Sequence, residues 1–446
     1  MNSPQTLSAA PGAQGTLSSV VDQPEPISAK KVAIVSGLGS AIEYYDFALY
    51  GLLAVYLGPL FFPQEDSLTA LLVTLGIFAS AFVVRPLGGL FFGWFGDKYG
   101  RSKTLIITVA GMGSASLLMG CLPTYANLGV MAPAALLLCR LAQGFFAGGE
   151  VSGAATYIAE CSPPAKRGFY GAFNPTGIAM GMSLAPAVIW GINSWVGTEA
   201  MADWGWRIPF LLSAPLVLIT LVARLYLEDS PHFRKAQKTN TLVKTPFKTL
   251  VSECAPNLSR AVMIAIAQNA MAYIGLLYLN IHLTRSVGYP ASQVLALLAF
   301  APFMAGLLMP MCGVLSDRWG RVNAMRLGYA SYFVLFPIAL YLMNSGVFEY
   351  ACFAVLALFV PYALVQAAGY PMYAELFPTK VRYSGVALSI NIGALAGGAT
   401  APALATWLAA TTGNLMSVAF VAMFAASLAL IALFSLRRKD MVTDFS

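Results

Sequence analysis

Twelve apolar runs, each long enough to cross a bilayer, divide this 446-residue chain at charged or Pro/Gly-rich breaks. A hydrocarbon core of about 30 Å needs roughly 20 apolar residues in a helix, and backbone placed there must satisfy its own hydrogen bonds, which leaves helices or closed barrels. Short alternating strands are not seen, so the runs predict helices. They cover approximately 32–57, 68–92, 104–122, 133–159, 168–193 and 208–227, then 260–283, 291–312, 325–344, 350–374, 384–409 and 415–436. With 58% of residues hydrophobic, 10% charged and a mean hydropathy of +0.71, the chain has too little polar surface for a protein surrounded by water.

One short pattern occurs twice in the breaks. Gly93, Asp97, Gly100 and Arg101 stand in GWFGDKYGR, and Gly313, Asp317, Gly320 and Arg321 stand in GVLSDRWGR, 220 residues later. That separation is close to half the chain and marks a tandem duplication of the kind that builds secondary transporters. The expected fold is all-α and integral to the membrane, with twelve transmembrane helices in two pseudo-symmetric six-helix bundles. Residues 30–228 form the first bundle and 260–436 the second, joined by a Lys-rich linker at 229–259. Residues 1–29, rich in Ser, Pro, Gly and Ala and lacking an apolar core segment, read as a disordered tail rather than a signal peptide, and 437–446 as a second tail.

The net charge of +7 is distributed between the runs. Lys30 and Lys31 precede the first run, Lys98, Arg101 and Lys103 follow the second, and Lys166 and Arg167 follow the fourth. Arg234, Lys235, Lys238, Lys244 and Lys248 follow the sixth; Arg318, Arg321 and Arg326 the eighth; Lys380 and Arg382 the tenth; Arg437, Arg438 and Lys439 the twelfth. The opposite breaks hold few basic residues, Arg207 and Arg285 being the exceptions. The positive-inside rule then puts both termini and the linker in the cytoplasm, and a charge so dispersed gives no nucleic-acid surface. The six cysteines (Cys121, Cys139, Cys161, Cys254, Cys312, Cys352) lack CxxC spacing and read as buried free thiols. Neither His232 nor His282 has a metal-like cluster around it, so no metal or cofactor is expected.

In each copy of the loop pattern the glycines permit a tight inter-helix turn, the Asp can cap a helix N-terminus, and the Arg can pair with a carboxylate on a neighbouring helix. The repeat supplies that carboxylate: Glu160 ends the fourth run and Glu375 the tenth, 215 residues apart. We expect Arg101 to pair with Glu160 and Arg321 with Glu375, as a latch that holds one conformation and breaks in another. The alternative is a set of ordinary juxtamembrane charges that fix topology.

GWFGDKYGRSK resembles the loop signature of the major facilitator superfamily, and CRLAQG resembles its fourth-helix motif. AIEYYDFALYG, VRPLGGLFFG, GFFAGGEVSGAATYIAE, WGWRIPF, LEDSPHF and AELFPTKVRYSG together resemble the metabolite:proton symporter family, over about residues 30–436. The resemblance implies a major facilitator fold in a bacterial inner membrane and uptake of carboxylates, shikimate, or zwitterions such as proline and betaine.

Ionisable side chains inside spans are functional candidates. Glu43, Arg85 and Glu150 lie 12, 12 and 10 positions from Lys31, Asp97 and Glu160, which at about 1.5 Å per residue is near the bilayer midplane. Asp46 is about one turn farther out than Glu43, and Arg140 lies nearer the outer edge. Three acids against two arginines leave one carboxylate free to carry a proton, with Glu43, Asp46 and Glu150 as candidates and Arg85 and Arg140 as partners or substrate contacts. Permanent ion pairs holding the bundle together are the alternative. The second half lacks matching charges and offers Gln268, Asn269, Tyr273, Tyr362, Gln366, Tyr370 and Asn391, of which Asn269, Tyr273, Gln366, Tyr370 and Asn391 join the candidate substrate site.

The functional expectation is secondary import of a small polar metabolite by proton symport with alternating access. A carboxylate comes first, because an arginine can bind it bidentately. A zwitterion is the alternative, and a passive facilitator or transport-derived sensor is the alternative of another class. No HExxH, Walker loop or GxSxG occurs, which argues against an enzyme or a nucleotide-driven pump. The expected partners are the solute, protons and lipid, and the expected unit is a monomer.

Overall fold

A computed structural model of the chain describes residues 28–65, 67–230, 233–234, 237, 246–437, 440–442 and 445. Twelve long helices run through the described residues. In the first half they are α1 (Ala29–Phe61), α2 (Ser67–Tyr99), α3 (Arg101–Cys121), α4 (Met131–Cys161), α5 (Pro164–Val196) and α6 (Arg207–Leu225). In the second half they are α7 (Ala255–Val287), α8 (Ala291–Trp319), α9 (Arg321–Met343), α10 (Phe348–Glu375), α11 (Thr379–Thr412) and α12 (Leu415–Ser435). Eleven are long and apolar enough to cross a membrane; α1, of 33 residues, carries Glu43 and Asp46 at its middle and packs against α2, α4, α5 and α6. The expected tail at 1–29 lies outside the described residues up to residue 27, as do Lys235, Lys238, Lys244, His232, Arg438 and Lys439. Within the expected linker a short helix forms at Pro246–Glu253, and α7 starts at Ala255, so the second bundle begins earlier than the apolar run alone indicates.

Lipid contact on the outside leaves small residues to decide how closely helices approach. On α5, a Cβ at Gly177 would stand 2.8 Å from the Gly37 carbonyl carbon and one at Gly181 2.9 Å from that of Ala41, so α1 and α5 touch backbone to backbone. Gly144 and Gly148, one turn apart on α4, do the same against α2, where Cβ atoms would meet Ala81 Cα at 2.7 Å and Gly89 N at 2.6 Å. Phe420 and Phe424 are 70% and 71% exposed on α12, a placement suited to hydrocarbon rather than water. Cys121 is exposed and the other five cysteines half-buried, so the thiols are free but not buried as expected. In a membrane an apolar side chain has no need to be inside.

The breaks that carry the basic residues lie together at one end, the basic face. There α11 packs on α2 and α4, and α8 packs on α5, joining the halves. The duplicated pattern makes this possible. Gly100 and Gly320 take φ of 114° and 89°, so a single residue turns α2 into α3 and α8 into α9. Gly93 and Gly313 let the halves meet, since added Cβ atoms would lie 2.9 Å from Ser384 Cα and 2.8 Å from the Gly168 carbonyl carbon.

Replacing Gly148→Val forces α2 and α4 apart. Thermal melting of the detergent-solubilised protein should report a loss of about 1–3 kcal/mol, and an unchanged melting point would show that this contact yields.

Candidate transport site and gate

The duplicated loops form a two-fold cluster of helix caps and ion pairs at the basic face, the candidate latch. Asp97 of the first half accepts from Tyr383 N at 3.2 Å, Ser384 N at 3.0 Å and Ser384 Oγ at 2.7 Å, capping a helical stretch of the second half. Asp317 of the second half returns the contact, accepting from Gly168 N at 2.8 Å and Phe169 N at 2.9 Å. Each motif Arg lies beside its own Asp, at 3.3 Å for Arg101–Asp97 and 2.7 Å for Arg321–Asp317. Arg101 binds Glu160 through Nε at 3.2 Å and Nη2 at 3.1 Å, and Arg321 reaches Glu375 at 3.5 Å. Both expected pairs are therefore present.

Each of these glutamates also serves an arginine of the opposite half. Arg382 Nη1 lies 3.0 Å from Glu160, and Arg167 Nη1 lies 3.2 Å from Glu375. The sequence reading treats Arg167 and Arg382 as topology signals only, yet they stand 215 residues apart, as the two glutamates do. That equality was the available signal. LEDSPHF is also wired in: Asp229 accepts from Ser102 N at 2.8 Å, Ser230 Oγ donates to Glu160 at 2.5 Å, and Phe233 lies under Arg101 at 4.9 Å. Burial pushes the Asp229 carboxyl above the usual range, with the Ser102 N–H and Arg101 pulling it back.

Deeper in, a small cavity lies between the halves. Tyr44, Ile178 and Met182 line it from the first half, and Gln268, Asn269, Ala272, Tyr273, Tyr362, Gln366, Tyr370, Tyr373 and Ile390 from the second. Asn269, Tyr273, Gln366 and Tyr370 are thus placed as expected, while Asn391 is not. Its Nδ2 donates to Gly148 O and Ala387 O, both at 2.7 Å, which makes it a contact between the halves rather than a cavity residue. Tyr373 Oη donates to Gln268 Oε1 at 2.6 Å, and Gln268 Nε2 donates to Gln366 Oε1 at 2.5 Å. Pro361 and Pro371 bracket Tyr362, Gln366 and Tyr370 on α10, and a π-helical turn at Ile274–Tyr278 follows Tyr273 on α7. Such irregular backbone in membrane helices accompanies functional sites.

The buried charges stand beside this cavity, in the first half. Arg85 pairs with Glu43, and its guanidinium carbon sits 4.9 Å from the Phe47 ring centre; neither residue lines the cavity, although the neighbouring Tyr44 does. Glu150 is held by both Nη atoms of Arg224 and by Thr108 Oγ1 at 2.6 Å. Arg224, at the end of α6, stands outside the count of three acids against two arginines; it pairs with Glu150, while Arg140 pairs with no acid among the described residues, so one carboxylate is still left without a guanidinium. Asp46 receives no guanidinium: Ser116 Oγ donates to Oδ2 at 2.6 Å and Ser213 Oγ to Oδ1. Arg140 reaches it only through a chain, donating to Gln143 Oε1 at 2.6 Å, whose Nε2 donates to Ser116 Oγ at 2.5 Å. Its guanidinium otherwise rests on Tyr50 at 4.3 Å, Phe47 at 4.9 Å and Phe78 at 5.0 Å, with Nε and Nη2 making no hydrogen bond among the described residues.

Known proteins give this architecture a family. The profile of the sugar (and other) transporter family matches residues 32–244 and 233–438. The chain belongs to that family, within the major facilitator superfamily. Among curated relatives, the transporter is 38% identical over 416 residues to the proline/betaine transporter of Escherichia coli (strain K12), covering 90% of this chain and 82% of the relative. It is 37% identical over 421 residues to the inner membrane metabolite transport protein YhjE of the same strain, covering 92% and 94%. Among solved structures, the proton:xylose symporter XylE aligns with a TM-score of 0.73 at 19% identity over 91% of this chain and 94% of that one, a likeness of fold.

Breaking the Glu150 pair from one side leaves an unmatched buried charge. Arg224→Ala should cost the transporter roughly 3–5 kcal/mol, whereas Glu150→Gln with Arg224→Met should cost far less. Equal losses in thermal melts of the two variants would count against a desolvated ion pair.

Proposed function

We propose that this transporter imports a zwitterionic solute of the proline or betaine type by proton symport, with the basic face in the cytoplasm. The observation that carries the substrate is the cavity lining: five tyrosines and three side-chain amides, and no charged side chain. A dicarboxylate or tricarboxylate entering such a site would find no cation, whereas a zwitterion brings its own counter-charge. Its ammonium suits tyrosine faces, and its carboxylate suits amide and hydroxyl donors. The names carried by the proline/betaine relatives support the same choice over the carboxylate reading. Orientation rests on the positive-inside rule applied to the basic breaks.

For the proton, Asp46 is our first candidate. Glu43 and Glu150 each hold an arginine, while Asp46 is held by hydroxyls alone and can take or lose a proton without breaking an ion pair. Arg140 stands in reserve on its aromatic rings. A shift that brought its free Nη2 to Asp46 would favour the carboxylate and expel the proton, and the return stroke would restore the protonated acid. The proton thereby couples to the angle between helices of the first half, and the solute to the seam between the halves.

Proteoliposomes with an inward proton gradient should accumulate radiolabelled glycine betaine or proline and ignore succinate and citrate. Accumulation of the anions instead would overturn the substrate. Asp46→Asn should abolish gradient-driven accumulation while sparing solute exchange across a gradient-free membrane; intact concentrative uptake in that variant would move the proton site elsewhere.

A further inference from the structure

The short helix between the halves, Pro246–Glu253, belongs neither to the ion-pair cluster nor to the cavity. It packs on α2 of the first half and on α7 and the first turn of α11 in the second, so it lies at the basic end of the seam between α2 and α11. Successive residues of a helix turn by about 100°, which sorts its side chains into stripes. Leu250 is fully buried, and Glu253 on one side of it reaches Lys380 of α11 at 2.6 Å. On the other side stand Phe247 and Val251, one turn apart and 50% and 47% exposed, and beyond them Lys248, also exposed.

The neighbouring α2 shows which layer of the membrane this stripe meets. Val83, Leu87 and Phe91 are exposed at helical spacing and form the lipid-facing side of α2, and the same spacing carries that side on through Trp94 to Lys98. Lys98 Nζ rests on the rings of Trp94 and Tyr99, 4.9 Å from each centre. A lysine above aromatic rings at the end of an apolar stripe marks the headgroup layer. Asp97, beside Lys98, accepts from Tyr383 N and Ser384 N of α11. The first turn of α11, and the short helix packed on it, therefore stand at the depth of Lys98.

We propose that the helix Pro246–Glu253 is a docking surface for anionic phospholipid. Phe247 and Val251 enter the acyl boundary of the leaflet at the basic face, and Lys248 meets the headgroup charge. Charge and depth choose this occupant together. The helix's one acid is turned onto Lys380, while Lys248 and Lys98 carry no ion pair among the described residues. The half-exposed apolar pair continues a surface that already faces lipid. Because the helix packs on both halves, the lipid is held where the halves meet.

The test puts a bimane fluorophore on Val251→Cys or on Ser252→Cys, about 100° farther round toward the polar side. The protein is full-length, its six native cysteines are replaced by alanine, and it is reconstituted in phosphatidylcholine vesicles. These carry a small share of doxyl-labelled phosphatidylglycerol or doxyl-labelled phosphatidylcholine. The Val251 fluorophore should be quenched by lipid, more strongly by phosphatidylglycerol at equal content, and the Ser252 fluorophore by acrylamide in the water. Lys248→Gln, a surface change, should cut the preference for phosphatidylglycerol by about fivefold and leave quenching by phosphatidylcholine in place. Equal quenching by the two lipids, or a preference untouched by Lys248→Gln, would overturn the anionic headgroup. A Val251 fluorophore open to acrylamide and unquenched by either lipid would overturn membrane docking and give the face to a soluble partner.

Discussion

The structure depends on a carboxylate shared between two arginines, one from its own half and one from the other. A buried ion pair gains little over an apolar contact, but a buried charge that loses its partner is costly. Glu160 avoids that cost when the halves part, because Arg101 and Ser230 belong to its own side of the seam. Glu375 has Arg321 in the same role. The arginines that leave are also provided for: Arg382 Nε donates to Ala374 O and Phe377 O, and Arg167 Nε to Ala159 O, all on their own halves. Closing the face adds bonds, and opening it strands no charge.

Above these ion pairs the two-fold symmetry fails. The first half holds Glu43–Arg85, Glu150–Arg224 and the Asp46–Ser116–Gln143–Arg140 chain, and the second half answers with tyrosines and amides. Charges that bind each other make a poor solute site, since a solute must first break them. Neutral donors and aromatic faces carry no such debt. In the function proposed above, proton handling and solute binding occupy neighbouring space in separate halves, coupled through the seam both halves share.

Much of this was legible in the sequence, for reasons that can be named. The duplicated Gly-Asp-Gly-Arg pattern and the equally spaced Glu160 and Glu375 gave the fold and both same-half pairs, because a repeat exposes partners as equal offsets. Arg167 and Arg382 share that offset but sit among lysines in basic breaks, where topology is a sufficient explanation for them. Arg224 was hidden at the end of α6, beside a polar break. Asn391 was assigned to the cavity, and Tyr44 and Tyr373 were left out of it, because these helices are apolar all round. Without an amphipathic stripe, helical spacing does not say which side faces the seam.

The central claim is that the shared carboxylates hold the basic face closed. Glu160→Gln combined with Glu375→Gln keeps the side-chain size and removes both charges. With spin labels on Lys103→Cys and Asn323→Cys, the double variant should shift from the short distance of the closed face to the long distance of the open one, without a matching loss of thermal stability. A distance distribution that stays closed in that variant would contradict the account.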